Sequence, residues 1–174
     1  ASYELDMWGK LARQQESAGA RLDANLAAYR SVLLTLQGDL AQTYFQLRAT
    51  DEELVLLLRG IELRHSARDL VAARKRGGLA SELDLSRVET EVATVESEIR
   101  GAERRRRELQ HALAVLVGNM PGPFDVAAPA PTVRPPQIPV GLPADLLERR
   151  PDVAEAERLL AARNAEIGIA KAAF

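Results

Sequence analysis

The stretch Ala73-Ala-Arg-Lys-Arg-Gly-Gly-Leu-Ala-Ser-Glu-Leu-Asp-Leu-Ser-Arg-Val-Glu89 decides the fold, because it interrupts an otherwise continuous helical pattern. A glycine costs about 1 kcal/mol inside a helix and is favoured just past a helix end. Three basic residues precede the glycine pair, where positive charge suits a helix C-terminus, and Ser81 or Asp84 can cap a following helix. The stretch therefore predicts the tip of a helical hairpin, with the two glycines and Leu79 in the turn.

Heptad patterns lie on both sides of this tip. Before it, apolar residues recur seven apart: Leu26, Leu33, Leu40, Leu47, Leu54 and Ile61. After it, apolar residues alternate three and four apart, with a gap at Arg106: Leu85, Val88, Val92, Val95, Ile99, Ala102, Leu109, Leu113 and Leu116. A second set on another face of the first helix predicts neighbours on two sides: Ala20, Ala27, Leu34 and Ala41. Two heptad-patterned helices joined by a short turn predict a long antiparallel coiled hairpin.

Helix lengths predict the rest of the architecture. We expect a long helix over residues 10–76, a tip turn over 77–83, a return helix over 84–117 and a shorter helical region over 144–174. The connector over 118–143 carries eight of the nine prolines and predicts no helix. At 1.5 Å per residue the long helix measures about 100 Å, and the two later helical regions together match it. The expected fold class is all-α, with Ala1 and Phe174 at the same end.

Composition excludes several classes of protein. The 174 residues include no cysteine and carry a formal net charge of −2, which argues against a disulfide scaffold and a nucleic-acid binder. The longest clear apolar run, Leu54 to Leu58, is far below the roughly 18 residues that a transmembrane helix needs. The chain has no initiator methionine or signal sequence, so we expect a piece of a larger protein.

No catalytic, cofactor or metal site is expected. His65 and His111 lie far apart without ligands at metal spacing. The run Arg104–Arg107 spreads around a helix circumference and makes no single basic patch. Since no nucleophile, base and orienting group occur together, the sequence does not predict an enzyme.

Three segments carry a family resemblance. Ala1-Ser-Tyr-Glu-Leu-Asp-Met-Trp-Gly-Lys10 resembles the Y-E-(I/L)-D-x-W-G segment of the outer-membrane factor (TolC-like) family. Gly141-Leu-Pro-Ala-Asp-Leu-Leu-Glu-Arg-Arg-Pro-Asp-Val153 resembles the G-L-P-S-D-L-L-x-R-R-P-D-I segment of its branch of efflux lipoproteins from resistance-nodulation-division pumps. Residues 157–174 continue the likeness, which covers essentially the whole chain.

The resemblance implies a function and a place in the cell. Family members are homotrimeric outer-membrane ducts through which drugs or other small molecules leave passively, in partnership with a periplasmic adaptor and an inner-membrane pump. The chain would be a periplasmic fragment of the α-barrel, lying between two β-barrel hairpins, with residues 1–9 as the end of a strand entering the helices. The lipid-bearing cysteine, both membrane hairpins and the second helical hairpin would lie outside it.

The resemblance also implies site residues. The adaptor-docking tip would comprise Arg76, Gly77, Gly78, Leu79 and Ser81, with Gly77 standing where the family has valine. Asp84 matches a family aspartate that latches the closed end, although its usual basic partner belongs to the second tip. A structural motif would include Trp8, Gly9, Arg149, Arg150, Pro151 and Asp152, the last four fixing a kink. From the residues alone, the glycines simply end a helix and Asp84 simply caps one.

Two other classes of protein remain open at this point. A periplasmic adaptor also carries a long helical hairpin, but its flanks should be β-rich and lipoyl-like. A generic coiled-coil scaffold predicts that no connector lies against the first helix.

Overall fold

A computed structural model describes residues 6–127 and 143–173, which form four helices. These are α1 (Lys10–Arg76), α2 (Glu82–Leu116), α3 (Pro143–Glu148) and α4 (Pro151–Lys171). No strand occurs among the described residues, and the all-α class is confirmed. Most of the strand end expected over residues 1–9, and the connector over 128–142, lie outside the described residues. Within the described ranges, no helix is both long and apolar enough to cross a membrane.

The start of α2 differs from the sequence-based expectation. α2 begins at Glu82, inside the expected turn, because Ser81 is the N-cap and the helix starts at the next residue. The last helical region consists of two helices, α3 and α4. Proline suits the first position of a helix, where its missing N–H is not needed, and Pro151 accordingly starts α4.

The chain divides into two compact units, and α1 contributes to both. In the first unit, which draws on residues 1–38 and 134–174, α1 runs antiparallel to α4. Gly168 near the end of α4 lies against the Arg13 side chain near the start of α1, and Arg21 forms an ion pair with Glu166. The buried residues of this pair are all small, which allows a close approach of the two backbones: Ser17, Ala24, Ala27, Ala162 and Ala165.

The leucines of α1 in this first unit do not share in that packing. Leu26 is 51% exposed and Leu33 41% exposed, although both belong to the predicted heptad seam. The helix meets α4 through its alanine face instead, because small side chains pack against the small side chains of α4. Among the described residues, the leucine seam of this unit is therefore exposed.

In the second unit, residues 39–133, α1 and α2 form the antiparallel hairpin. Ile61 of the predicted seam packs with Val92 and Val95, flanked by Leu57 and Ile99. Leu47 and Leu113 are also buried. Apolar residues at heptad spacing thus hold this unit together, as the sequence pattern predicts.

The described start of the connector lies against this hairpin. Arg48 of α1 donates to the Ala127 carbonyl oxygen at 3.0 Å, and Arg106 of α2 donates to the Val126 carbonyl oxygen at 3.3 Å. Contact of this segment with both helices is the opposite of what a generic coiled-coil scaffold predicts.

Candidate functional site

The tip of the hairpin begins with a tightly closed helix end. The Gly78 N–H donates to the Lys75 carbonyl oxygen at 2.9 Å, and the Leu79 N–H donates to the Arg74 carbonyl oxygen at 2.8 Å. This pair of bonds is the Schellman motif, which requires a left-handed residue. Gly78 has a φ of +73°, whereas the φ of Gly77 lies outside the left-handed range. Only the second glycine of the pair is therefore required by the backbone.

The return helix begins with a capping box. The Asp84 N–H donates to the Ser81 hydroxyl oxygen at 3.1 Å, and the Ser81 N–H donates to Asp84 Oδ2 at 2.9 Å. The Ser81 hydroxyl also donates to Asp84 Oδ2 at 2.7 Å. These hydrogen bonds satisfy two backbone donors that a helix start leaves unpaired.

The tip carries a defined set of charges. Hydrogen bonds from the Ser81 hydroxyl and backbone N–H, aided by the nearby Arg87 guanidinium, lower the pKa of the exposed Asp84 carboxyl. Lys75, in the last turn of α1, forms an ion pair with Glu82 in the first turn of α2. This pair joins the two helices across the turn. It adds to the hydrogen bonds that close the end of α1 and the start of α2.

Leu79 is the apolar feature of this turn. It is 82% exposed and has the closed helix end on one side and the capping box on the other. Arg76, Gly77 and Leu83 beside it are exposed as well. An apolar side chain held on a hydrogen-bonded turn among charged residues suits contact with another macromolecule.

The start of α1 is capped by a residue that the sequence analysis missed. Asp6 Oδ2 accepts from the Ala12 N–H at 2.9 Å, and this and neighbouring backbone N–H groups lower the pKa of the Asp6 carboxyl. Gly9 has a φ of +73°, and Trp8 is exposed. An aspartate shortly before a helical pattern is a capping signal that could have revealed this role.

The Arg149 to Asp152 segment joins α3 to α4. Arg150 Nε donates to Asp152 Oδ1 at 3.0 Å, and Arg150 Nη2 donates to Asp152 Oδ2 at 2.6 Å. This fork spans Pro151, raises the pKa of Arg150 and lowers that of Asp152. Arg149 is exposed. The pair holds the chain at the point where one helix stops and the next begins.

The histidines and the arginine run lie away from the tip. His65 is on α1 and His111 on α2, and the described residues contain no cluster of metal-ligating side chains. Two of the four consecutive arginines turn towards α1, where Arg105 pairs with Glu53 and Arg106 with Asp51. The sequence analysis missed these partners, since they come from a distant part of the chain.

The described residues thus form a long helical hairpin with an exposed, hydrogen-bonded tip. The chain belongs to the outer membrane efflux protein family, whose family model matches residues 1–119. The TolC-like assignment is therefore confirmed.

Relatives and solved structures agree with this assignment. The chain is 38% identical over its whole length to the pyoverdine export outer membrane protein OpmQ of Pseudomonas putida. It is 35% identical over 99% of its length to the toluene efflux pump outer membrane protein TtgI of another strain of the same species. It covers 37% of each of these relatives.

Among solved structures, the outer-membrane channel OprN matches 98% of this chain at 31% identity with a TM-score of 0.86, and the chain covers 39% of that structure. The chain thus spans well under half the length of the proteins it matches. These relatives are transport proteins, which points to a role in transport.

Proposed function

We propose that this chain is the periplasmic helical part of the outer-membrane channel in a tripartite efflux pump. In that role the complete protein is a passive exit duct, and the tip from Arg76 to Ser81 docks a periplasmic adaptor. The observation that carries the proposal is the 82% exposure of Leu79 on a turn held by the Schellman motif and the capping box. Membership in the outer membrane efflux protein family supports the assignment to an outer-membrane channel.

The rest of the proposal concerns the complete protein. It forms a lipid-anchored homotrimer in the outer membrane and works with an adaptor and an inner-membrane pump. Residues 1–9 lead from a membrane strand into α1, residues 118–143 form an equatorial connector, and residues 144–174 return towards the membrane. The small-residue packing of α1 on α4 supports this course, since it sets the start of α1 beside the end of α4.

Docking through Leu79 is tested by placing a charge on the exposed side chain. Leu79→Asp in the complete protein should abolish drug export in a strain lacking the native gene, because the buried contact with the adaptor would then hold an unpaired carboxylate. Trimer abundance should stay normal, since the Leu79 side chain is largely exposed in the described part of the chain.

The matched control is Leu79→Met, which keeps an apolar side chain of similar volume. It should export drugs at the wild-type level. Normal export by the aspartate variant would eliminate docking through this residue, whereas loss of trimers would show that the tip serves assembly instead.

We also propose that Asp84 helps to latch the closed end of the duct. Oδ2 is occupied by Ser81, while Oδ1 has no hydrogen-bond partner within the described residues. One carboxylate oxygen is thus available for a basic side chain of a neighbouring helix.

A pair of variants separates the latch from the cap. Asp84→Ala removes the carboxylate and its hydrogen bond from the Ser81 N–H, whereas Ser81→Ala removes the hydroxyl that caps α2 and keeps the carboxylate. If Asp84 is a latch, only Asp84→Ala should raise the conductance of the channel and its leakage of large antibiotics. Equal leakage by the two variants would mean that Asp84 acts only as a cap.

The adaptor alternative receives no comparable support. The described residues that follow the hairpin and connector form the helices α3 and α4, where an adaptor would have a β-rich flank. Both relatives are named as outer membrane proteins, and they match 100% and 99% of this chain.

A further inference from the structure

A buried charge cluster lies between the two helices of the hairpin. Asp51 accepts from two arginines, with Oδ2 3.0 Å from Arg48 Nη1 and Oδ1 2.6 Å from Arg106 Nε. The side chains of Arg48 and Asp51 are 5% and 13% exposed. The Arg48 guanidinium also lies over the Tyr44 ring, 4.8 Å from its centroid. Two guanidinium groups thus share one carboxylate, and of the two only that of Arg48 is fully buried, since the Arg106 side chain is 25% exposed.

The position of the cluster follows from the heptad pattern. Arg106 fills the gap in the apolar series of α2, and Asp51 lies one helical turn after Leu47 of the α1 seam. Arg106 and Asp51 face each other in the hairpin. Because one carboxylate cannot satisfy every N–H of a buried and a partly buried guanidinium group, further acceptors are needed.

The connector supplies one such acceptor to each arginine, while Arg48 Nε has no partner among the described residues. The Ala127 carbonyl oxygen accepts from Arg48 and the Val126 carbonyl oxygen from Arg106, while Asp125 Oδ1 accepts from Gln110 Nε2 at 2.7 Å. Residues 124–127 have no helix or strand of their own. We infer that Arg48, Asp51, Arg106 and Gln110 form a polar anchor that positions the start of the connector on the hairpin. The connector in turn completes the burial of the two arginines, so the two parts become ordered together.

A simpler explanation is that these charges only pair the two helices. The chain contains a comparison for that case, because Arg105 of α2 donates to both carboxylate oxygens of Glu53 in α1 at 2.8 Å. This pair is about half exposed. It lies next to the polar anchor in sequence, and its hydrogen bonds do not include the described residues of the connector.

Limited proteolysis of the intact protein tests the inference. Thermolysin cuts beside Phe124 and Val126 are mapped by mass spectrometry, with helix content followed by circular dichroism. Arg48→Met and Arg106→Met should each speed cleavage there by about tenfold or more. A tenfold change corresponds to a loss of about 1.4 kcal/mol in the free energy that holds the connector on the hairpin, which is the scale of one hydrogen bond. Arg105→Met should leave cleavage at these sites unchanged.

Wild-type cleavage in both anchor variants, or equal acceleration by Arg105→Met, would overturn the inference. If the arginine variants do not fold, Gln110→Leu decides the matter. It removes the Asp125 contact without leaving a buried charge, so it should fold and still accelerate cleavage at Phe124. Unchanged cleavage in a folded Gln110→Leu protein would equally overturn the inference.

Discussion

The two glycines of the tip should respond oppositely to alanine, although they are neighbours. Gly78 has a φ of +73°, and a Cβ added there would meet nothing within 4 Å. The cost of Gly78→Ala is therefore one of backbone strain alone, about 1 to 2 kcal/mol for a non-glycine residue in the left-handed region. At Gly77 a Cβ would lie 3.5 Å from the Arg74 carbonyl oxygen, an ordinary contact.

Gly77→Ala should therefore be neutral or stabilising by up to about 1 kcal/mol, because alanine reduces the freedom of the unfolded chain. Gly78→Asn should cost less than Gly78→Ala, since asparagine tolerates the left-handed region better than other side chains.

Trypsin provides the assay, because Arg74, Lys75 and Arg76 place cleavage sites directly before the turn. Cleavage needs the turn to open, so its rate follows the opening equilibrium. Gly78→Ala should raise the cleavage rate by about 5- to 30-fold, the factor that 1 to 2 kcal/mol represents. Gly77→Ala should leave it unchanged or lower it.

Each cleavage rate is divided by the cleavage rate of the same variant unfolded in denaturant. The ratio removes any change in how well the protease recognises the altered sequence. Equal responses of the two glycines would refute the reasoning, as would a larger effect at Gly77. Either result would mean that the Schellman geometry does not control opening of the tip.

Three further outcomes are expected. Ser81→Ala should reduce the free energy of unfolding by about 1 kcal/mol in urea titration, because it removes the side chain that caps α2; an unchanged midpoint would contradict this. The pKa of Asp84 is lowered from 3.8, so its contribution to stability is present above about pH 3.8 and is lost as the pH falls through the folded-state pKa. In Asp84→Asn this part of the acid dependence should disappear; a curve parallel to wild type would argue against it. Ala165→Leu should cost about 1 to 3 kcal/mol by overpacking the α1–α4 contact, whereas the exposed Ala161→Leu should cost little; equal melting temperatures would argue against that contact.

Short-range chemistry made the hairpin predictable from the sequence. The helix end at the glycine pair and the capping box of Ser81 and Asp84 depend on residues a few positions apart, and both occur in the structure. The heptad spacing likewise predicted the apolar cluster around Ile61. The all-α class could be predicted from the same helical spacing, and the family could be recognised from short sequence motifs. The docking and latch residues remain proposals, because their partners belong to other chains or segments.

Only the tertiary structure decided which faces pack and which charges pair. Both faces of α1 are apolar in sequence, yet α4 covers the alanine face and leaves Leu26 and Leu33 exposed, because the close fit of two small-residue faces is a property of both helices together. The sequence likewise places Asp51 within reach of Arg48, but the second acceptor of Arg48, the Ala127 carbonyl oxygen, lies 79 residues away. Helix periodicity determines the direction of a side chain. Its burial depends on which distant residues share the interior with it.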